Sequence, residues 1–461
     1  MERSNLGASV HAARRRVLMS RVDSPVLLMG NNTQPRNLLM NKLPFRQDST
    51  FLYYTGCSEP GAAVLINGQE ETLFLPIPGE GDELWHGPHP SLKRQETLYG
   101  INIKDRSTLE SSCANLALDT LATSDPQSNA IGEKLSGRSL IFGRDMGPPG
   151  LVGAIIEQRR RKSSEEISQL RIAAKLTSKA HIAAMKATRP GVHEEEIAAV
   201  FKHEFFKVGA VEGYHSIVTV DGDILHNPYY KNTLTDGDLL LLDGGAEVNS
   251  GYCCDVTRTW PVSGTFTPMQ RSAYQAVLEA HHKAVSMCRQ GVRYRDIHLA
   301  SVKVIAQWLI DENIIYCGLD EAVETGVAAL FYPHGVGHLL GLDVHDLEAF
   351  GDKAAYAEGR GRSKQFGLGA LRMDIDLEPG HVVTIEPGFY VVDAILRSES
   401  LAGQHEGRIN RAVIEKWRGF GGIRLEDDIL VTDDEPENLT LSIPIEINDV
   451  EETVGTLNQG Q

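Results

Sequence analysis

Acidic side chains recur in this chain where burial would make them costly. The run Asp236-Gly237-Asp238-Leu239-Leu240-Leu241-Leu242-Asp243 reads as a turn feeding a buried β-strand that ends in a carboxylate. A carboxylate there must be paired, protonated or bound to a metal. Asp255 follows, with a hairpin turn expected between Glu247 and Gly251. An odd loop, Asn249-Ser250-Gly251, sets the two aspartates on one face as diagonal neighbours able to bridge two ions. Taken alone, that hairpin reads first as structural, because Asp-Gly and Asp-Val-Thr occur widely. Phe331 to Asp346 is more specific: His334, His338 and His345 stand with Asp343 and Asp346 among glycines that admit close approach of backbone or substrate. Glu386, in Thr384-Ile385-Glu386-Pro387-Gly388, and Glu426, in Gly421-Gly422-Ile423-Arg424-Leu425-Glu426-Asp427-Asp428, each follow apolar residues on expected strands. Four carboxylates and a histidine form an oxygen-rich set whose charge two divalent cations would neutralise, with Mn²⁺, Co²⁺ or Zn²⁺ the best match.

These residues need a frame. Residues 1–155 alternate short apolar runs (Val26 to Met29, Ala62 to Ile66, Thr72 to Pro76, Ser139 to Phe142) with helical stretches, which reads as a small α/β domain. Gly147-Pro148-Pro149-Gly150 breaks the pattern, and Ser163-Ser164-Glu165-Glu166 resembles a capping box opening a long helix. A second, mixed α/β domain is expected over 156–450, and a polar tail over 451–461. Within the second domain Ala180, His181, Ala184, Arg189, Gly191, Val192 and Ile197 reappear one hundred residues on as Ala280, His281, Ala284, Arg289, Gly291, Val292 and Ile297. The strand ending at Asp243 likewise matches Pro379-Gly380-His381-Val382-Val383-Thr384-Ile385-Glu386. Two equivalent halves would present Asp243 and Glu386 to a shared axis.

The remaining composition narrows the function. Asp and Glu total 62 against 45 Lys and Arg, for a net charge of -17, which repels nucleic acid and anionic lipid. The basic run Arg159-Arg160-Arg161-Lys162 is read as a solvated loop before a helix. No stretch reaches the roughly 20 apolar residues of a membrane span, and Arg14-Arg15-Arg16 interrupts the N-terminal region where a signal peptide would be apolar. Six scattered cysteines fit a reduced, cytoplasmic setting. The adjacent pair Cys253 and Cys254 reads as small strand residues, since thiolates suit an oxygen-rich site poorly.

In combination, His-Gly-x-Gly-His-x-x-Gly-Leu-Asp-Val-His, Glu-Pro-Gly-x-Tyr and Gly-Ile-Arg-x-Glu-Asp-Asp, in the order Asp, Asp, His, Glu, Glu, closely resemble the prolidase and aminopeptidase P family of two-metal, pita-bread-fold peptidases. Phe45-Arg46-Gln47-Asp48-Ser49-Thr50-Phe51, Glu59-Pro60-Gly61 and Glu83-Leu84-Trp85-His86-Gly87 resemble its N-terminal domain. The resemblance implies a pseudo-two-fold catalytic domain and a metal set of Asp243, Asp255, His338, Glu386 and Glu426. It also places His226, His334 and His345 on the substrate side, and Arg424 two before the last ligand. The family spacing between the aspartates is one residue shorter, so Asn249-Ser250-Gly251 is expected to absorb an insertion.

The resemblance further implies two ions, Mn²⁺ foremost, about 3.5–4 Å apart and sharing a water acidified toward neutrality. Glu386 would shuttle a proton to the departing proline nitrogen, while His345 and His226 would stabilise the oxyanion and the proline side. Leu371-Arg372, Phe389 to Trp417 and Arg418-Gly419-Phe420-Gly421-Gly422 look more like prolidases, which cleave Xaa-Pro dipeptides. Arg372 would clamp the dipeptide's C-terminal carboxylate. The alternatives are aminopeptidase P, acting on longer peptides with proline second, and an inactive binding module on the same fold. A homo-oligomer, a dimer first, is expected from the resemblance, with neither nucleic acid nor membrane as partner.

Overall fold

The computed structural model describes residues 6–456. Contacts divide the chain into two units, one of Met1–Arg160 with Leu347–Ala354, the other of Arg161–Asp346 with Ala355–Gln461.

In the first unit β1 (Val26–Met29), β2 (Ala63–Asn67), β3 (Glu70–Leu75), β4 (Asn102–Asp105) and β5 (Asp119–Thr120) form one sheet in the order β4-β3-β2-β1-β5. The β1–β2 and β2–β3 pairs are antiparallel; β3–β4 and β1–β5 are parallel. The strands are short and rich in Val, Leu and Ile because one face closes on a core of Leu27, Met29, Ala63, Leu65, Phe74 and Leu109. The expected run at Ser139–Phe142 stays outside the sheet: Ile141 bridges only to Asp145, and Ile141 and Phe142 are each 47% exposed. Helix α1 (Pro149–Arg160) closes the unit, so residue 155 lies inside a helix. The basic run is not a solvated loop. Arg159 is buried and donates to Thr50 Oγ1 (2.9 Å), and Lys162 is buried against Asp346.

The second unit opens at the expected capping box, with Ser163 and Glu166 exchanging hydrogen bonds at the start of α2 (Ser164–Ala187). Then come α3 (Glu194–Phe206), β6 (Ile217–Thr219), β7 (Leu239–Asp243) and β8 (Thr257–Pro261), the strands ordered β8-β7-β6. The chain next repeats this plan with α4 (Pro268–Ser286), α5 (Tyr294–Asp311), β9 (Val382–Ile385), β10 (Gly388–Tyr390), β11 (Gly422–Arg424), β12 (Asp427–Leu430) and β13 (Glu437–Asn438). Strands β9, β12 and β13 form one sheet and β10 and β11 pair separately.

The repeat is written in backbone hydrogen bonds. Gly191 N donates to Leu234 O and Leu234 N to Val192 O, each at 2.8 Å; Gly291 N donates to Leu377 O at 2.8 Å and Leu377 N to Val292 O at 2.9 Å. In both halves a helix pair is thus stitched to the segment feeding the strand that ends beside a carboxylate. Near the C-terminus, the helix Ile447–Thr453 runs through the start of the expected polar tail and Val454 is buried, while residues 457–461 lie outside the described residues.

Candidate metal centre

Asp243 closes β7 opposite Thr257 on β8. The pairing continues past the strands, with Cys254 N donating to Ala246 O (3.0 Å) and Val248 N to Tyr252 O (3.0 Å). The hairpin therefore ends in the three-residue loop Asn249-Ser250-Gly251, whose last residue takes the left-handed conformation (φ 87°) such loops require. Asp255, two residues before Thr257, shares its face and lies diagonal to Asp243. The second half supplies Glu386 one residue beyond β9 and Glu426 between β11 and β12. His338 sits on an extended segment bridged to β9 through Leu339 and Val383.

These five side chains converge. Ligand atoms of Asp243, Asp255 and Glu426, of His338, Glu386 and Glu426, and of Asp255, His338 and His345 form three groups, each within 4.8 Å. His338 Nδ1 lies 3.0 Å from the Leu339 carbonyl, which leaves Nε2 facing the carboxylates, 3.3 Å from Asp255 Oδ2 and 3.9 Å from Glu386 Oε1. Tyr214 OH hydrogen-bonds to both Asp243 and Asp255. Thr257 Oγ1 donates to Glu426 Oε2 (2.7 Å) and accepts from Arg424 Nε (3.0 Å). Arg424 reaches Asp243 Oδ2 through Nη2 (2.6 Å) and Tyr390 OH through Nη1 (3.0 Å).

Packing four carboxylates together has an electrostatic cost. Burial raises the pKa of Asp243 and Glu426, Glu426 the more strongly because Asp255, Glu386 and Asp243 repel its charge as well. Glu386 is pushed up to about 7, again chiefly by burial. Asp255 is the exception: burial opposes ionisation, but the hydrogen bond and charge of His338 outweigh it and hold the carboxyl below its ordinary value. His338 is raised to about 9, its partnership with Asp255 overcoming burial. Divalent cations would remove the repulsion, and this oxygen-rich set with one imidazole matches them.

The cluster lines a cavity of about 670 Å³ whose wall also carries His226, His334, His345, Arg372 and Arg424. The His345 ring lies 4.1 Å from that of His338, centroid to centroid. His334 Nε2 is 2.9 Å from Tyr390 OH, and burial lowers its pKa to about 3, so the ring is neutral. His226 is exposed at the rim. All ten residues given a role by the resemblance thus come to one cavity, whereas Asp343 and Asp346 do not line it. Sequence reasoning missed Tyr214, Thr257 and His215, the last stacked on Tyr230 and also lining the wall. Tyr390 had a signal, as the aromatic of Glu-Pro-Gly-x-Tyr. Tyr214 and Thr257 had none, because their partners are remote in sequence.

Comparison with known proteins identifies the family. Residues 168–433 match metallopeptidase family M24, and residues 11–121 match the aminopeptidase P N-terminal domain. A probable Xaa-Pro aminopeptidase PEPP of Paracoccidioides brasiliensis is 33% identical across 95% of this chain and 96% of its own length. The Xaa-Pro dipeptidase of Homo sapiens is 31% identical across 93% and 88%. Aminopeptidase P from E. coli, solved with the inhibitor Pro-Leu, superposes with a TM-score of 0.82 at 27% identity, covering 99% of this chain and 100% of that one. The two-half catalytic unit has the pita-bread fold expected from the sequence.

Proposed function

This chain belongs to metallopeptidase family M24, and on that premise we propose that it hydrolyses the bond before proline in Xaa-Pro dipeptides. In this reading Asp243, Asp255, His338, Glu386 and Glu426 hold two divalent ions, Mn²⁺ foremost, with Co²⁺ and Zn²⁺ as substitutes. The ions supply Lewis acidity and a nucleophile at neutral pH. The chain's own groups do the rest. A tertiary amide nitrogen must be protonated to leave, and Glu386, on the cavity wall beside His338, is placed to carry that proton. His345, beside His338, stabilises the developing oxyanion, and His226 at the rim meets the proline side. Neutral His334, held between Gly335 O and Tyr390 OH, lines the substrate side of the cavity, while Arg424 fixes Asp243.

The observation that carries the dipeptide reading is Arg372 on the same cavity wall as the acidic cluster. Leu371 O, next to it, accepts from Tyr356 OH (2.5 Å) and Arg362 Nη1 (3.2 Å), which fixes the backbone from which the guanidinium projects. A clamp on the proline carboxylate admits a dipeptide and penalises a longer chain. The alternative, release of the first residue from longer Xaa-Pro peptides, draws on the names of the fungal and bacterial relatives. Hydrolysis of Ala-Pro beside Ala-Pro-Ala with Mn²⁺ supplied separates the two: preference for the dipeptide supports the proposal, and preference for the tripeptide selects the alternative. A homodimer is also proposed, on the family resemblance, and a cytoplasmic setting on the scattered spacing of the six cysteines. Among the described residues no helix is long and apolar enough to cross a membrane.

A further inference from the structure

A second buried polar device lies behind His345. Lys162 Nζ is 2.9 Å from Asp346 Oδ2, and the two side chains are 1% and 2% exposed. The pair fits only because position 341 lacks a side chain: a Cβ there would lie 2.4 Å from Asp346 Oδ2 and 2.9 Å from Lys162 Cε. Asp346 N also donates to Leu339 O (3.0 Å), closing the turn that begins at His338, and Lys162 N donates to Gly380 O (2.8 Å) just ahead of β9. The residue after the pair, Leu347, is held at φ 68°, a conformation that a leucine adopts only under constraint.

A fully buried ion pair contributes little net stability, because losing two hydration shells offsets most of the attraction. What such a pair does supply is direction. We propose that Lys162 and Asp346 are positioning residues: the ion pair fixes the turn from His338 to Asp346 so that His345 faces the metal cluster at the distance its role requires. The inference rests on the role proposed above for His345. Lys162 is not among the residues lining the cavity, and it acts through Asp346 on its neighbour in the chain. A shift of about 1 Å in a group that meets the transition state can cost about 100-fold in rate.

The test is a kinetic cycle on the full chain with Mn²⁺ supplied and Ala-Pro as substrate. Lys162→Met with Asp346→Asn removes both charges together, so neither is left buried alone. This neutral pair should lower kcat by roughly 10- to 100-fold while KM and bound Mn²⁺ stay as in the wild type. His345→Ala is then made in both backgrounds. If the pair acts through His345, its replacement costs nothing further once His345 is gone. Should the neutral pair fail to fold, Lys162→Arg, which keeps the charge and changes the shape, carries the same cycle. Wild-type kcat in the neutral pair, or losses that multiply in full when combined with His345→Ala, overturns the inference and leaves the role of His345 standing. Wild-type turnover in His345→Ala itself overturns both.

Discussion

His181 and His281 hold matching places in the two halves of the second unit, on α2 and α4, yet their surroundings differ. His181 Nε2 lies 3.0 Å from the Gly244 carbonyl, and burial lowers its pKa to about 3, so it is a neutral peg between helix and strand. His281 Nε2 lies 3.1 Å from Asp427 Oδ2. Asp427 also accepts from Arg258 Nη2 (2.7 Å), and Arg258 Nη1 donates to Glu426 O (2.6 Å). Burial lowers the pKa of the second histidine too, but it sits against a charged network that reaches the backbone of a proposed ligand. The same divergence marks the cavity. The first half gives two carboxylates, Tyr214, His215 and His226; the second gives two carboxylates and all of His334, His338, His345, Arg372 and Arg424. A duplicated backbone needs only its hydrogen bonds and core kept, so the polar groups on each copy are free to diverge.

On the proposed reading the halves share the burden of holding metal and divide the chemistry unequally. The largest expected effect tests the sharing: Asp255→Asn from the first half and Glu426→Gln from the second should each lower kcat by about 10⁴-fold or more, with bound Mn²⁺ reduced. Ordinary turnover in either variant at saturating Mn²⁺ would remove that half from the ligand set. His345→Ala should lower kcat by roughly 10²- to 10⁴-fold while metal content holds, in keeping with a second-half group that meets substrate. Loss of metal with turnover restored by excess Mn²⁺ would instead make it a ligand.

Next comes Arg372→Ala, which should cost about 2–5 kcal/mol in kcat/KM on Ala-Pro and much less on Ala-Pro-Ala. An equal loss on both substrates removes the carboxylate clamp. The smallest effect separates the matched histidines. His281→Asn should destabilise the fold by about 2–3 kcal/mol, since it weakens a buried charged network, and His181→Asn by about 1 kcal/mol, since it loses one neutral hydrogen bond. Urea unfolding measures both, and equal losses would mean the two environments are energetically alike.

What was legible in the sequence was whatever depends on short range or on a strong pattern. The carboxylate at the end of Leu239–Asp243, the odd loop of the hairpin and the capping box at Ser163 each follow from a few adjacent residues, and the structure contains all three. The cluster of histidines announced itself by density. Contacts made by long-range packing stayed hidden. Thr257 looks like any strand threonine until Glu426 and Arg424 arrive from the other half. The basic run at Arg159–Lys162 was misread for the same reason: Thr50 and Asp346, which bury two of its charges, are far away in sequence. At Ser139–Phe142 the apolar run folds back on itself, Ile141 bridging to Asp145, so its composition is a poor guide to the sheet.

Residues Leu347–Ala354 belong to the first unit although the rest of that unit ends at Arg160. On a ribosome adding about 5–20 residues per second, the roughly 190 residues between those points take about 10–40 s to emerge. During that interval the first unit waits without its last eight residues, and Lys162 waits without Asp346. The order of synthesis therefore makes the completion of the amino-terminal unit a late event, coupled in time to the arrival of the histidines of the other.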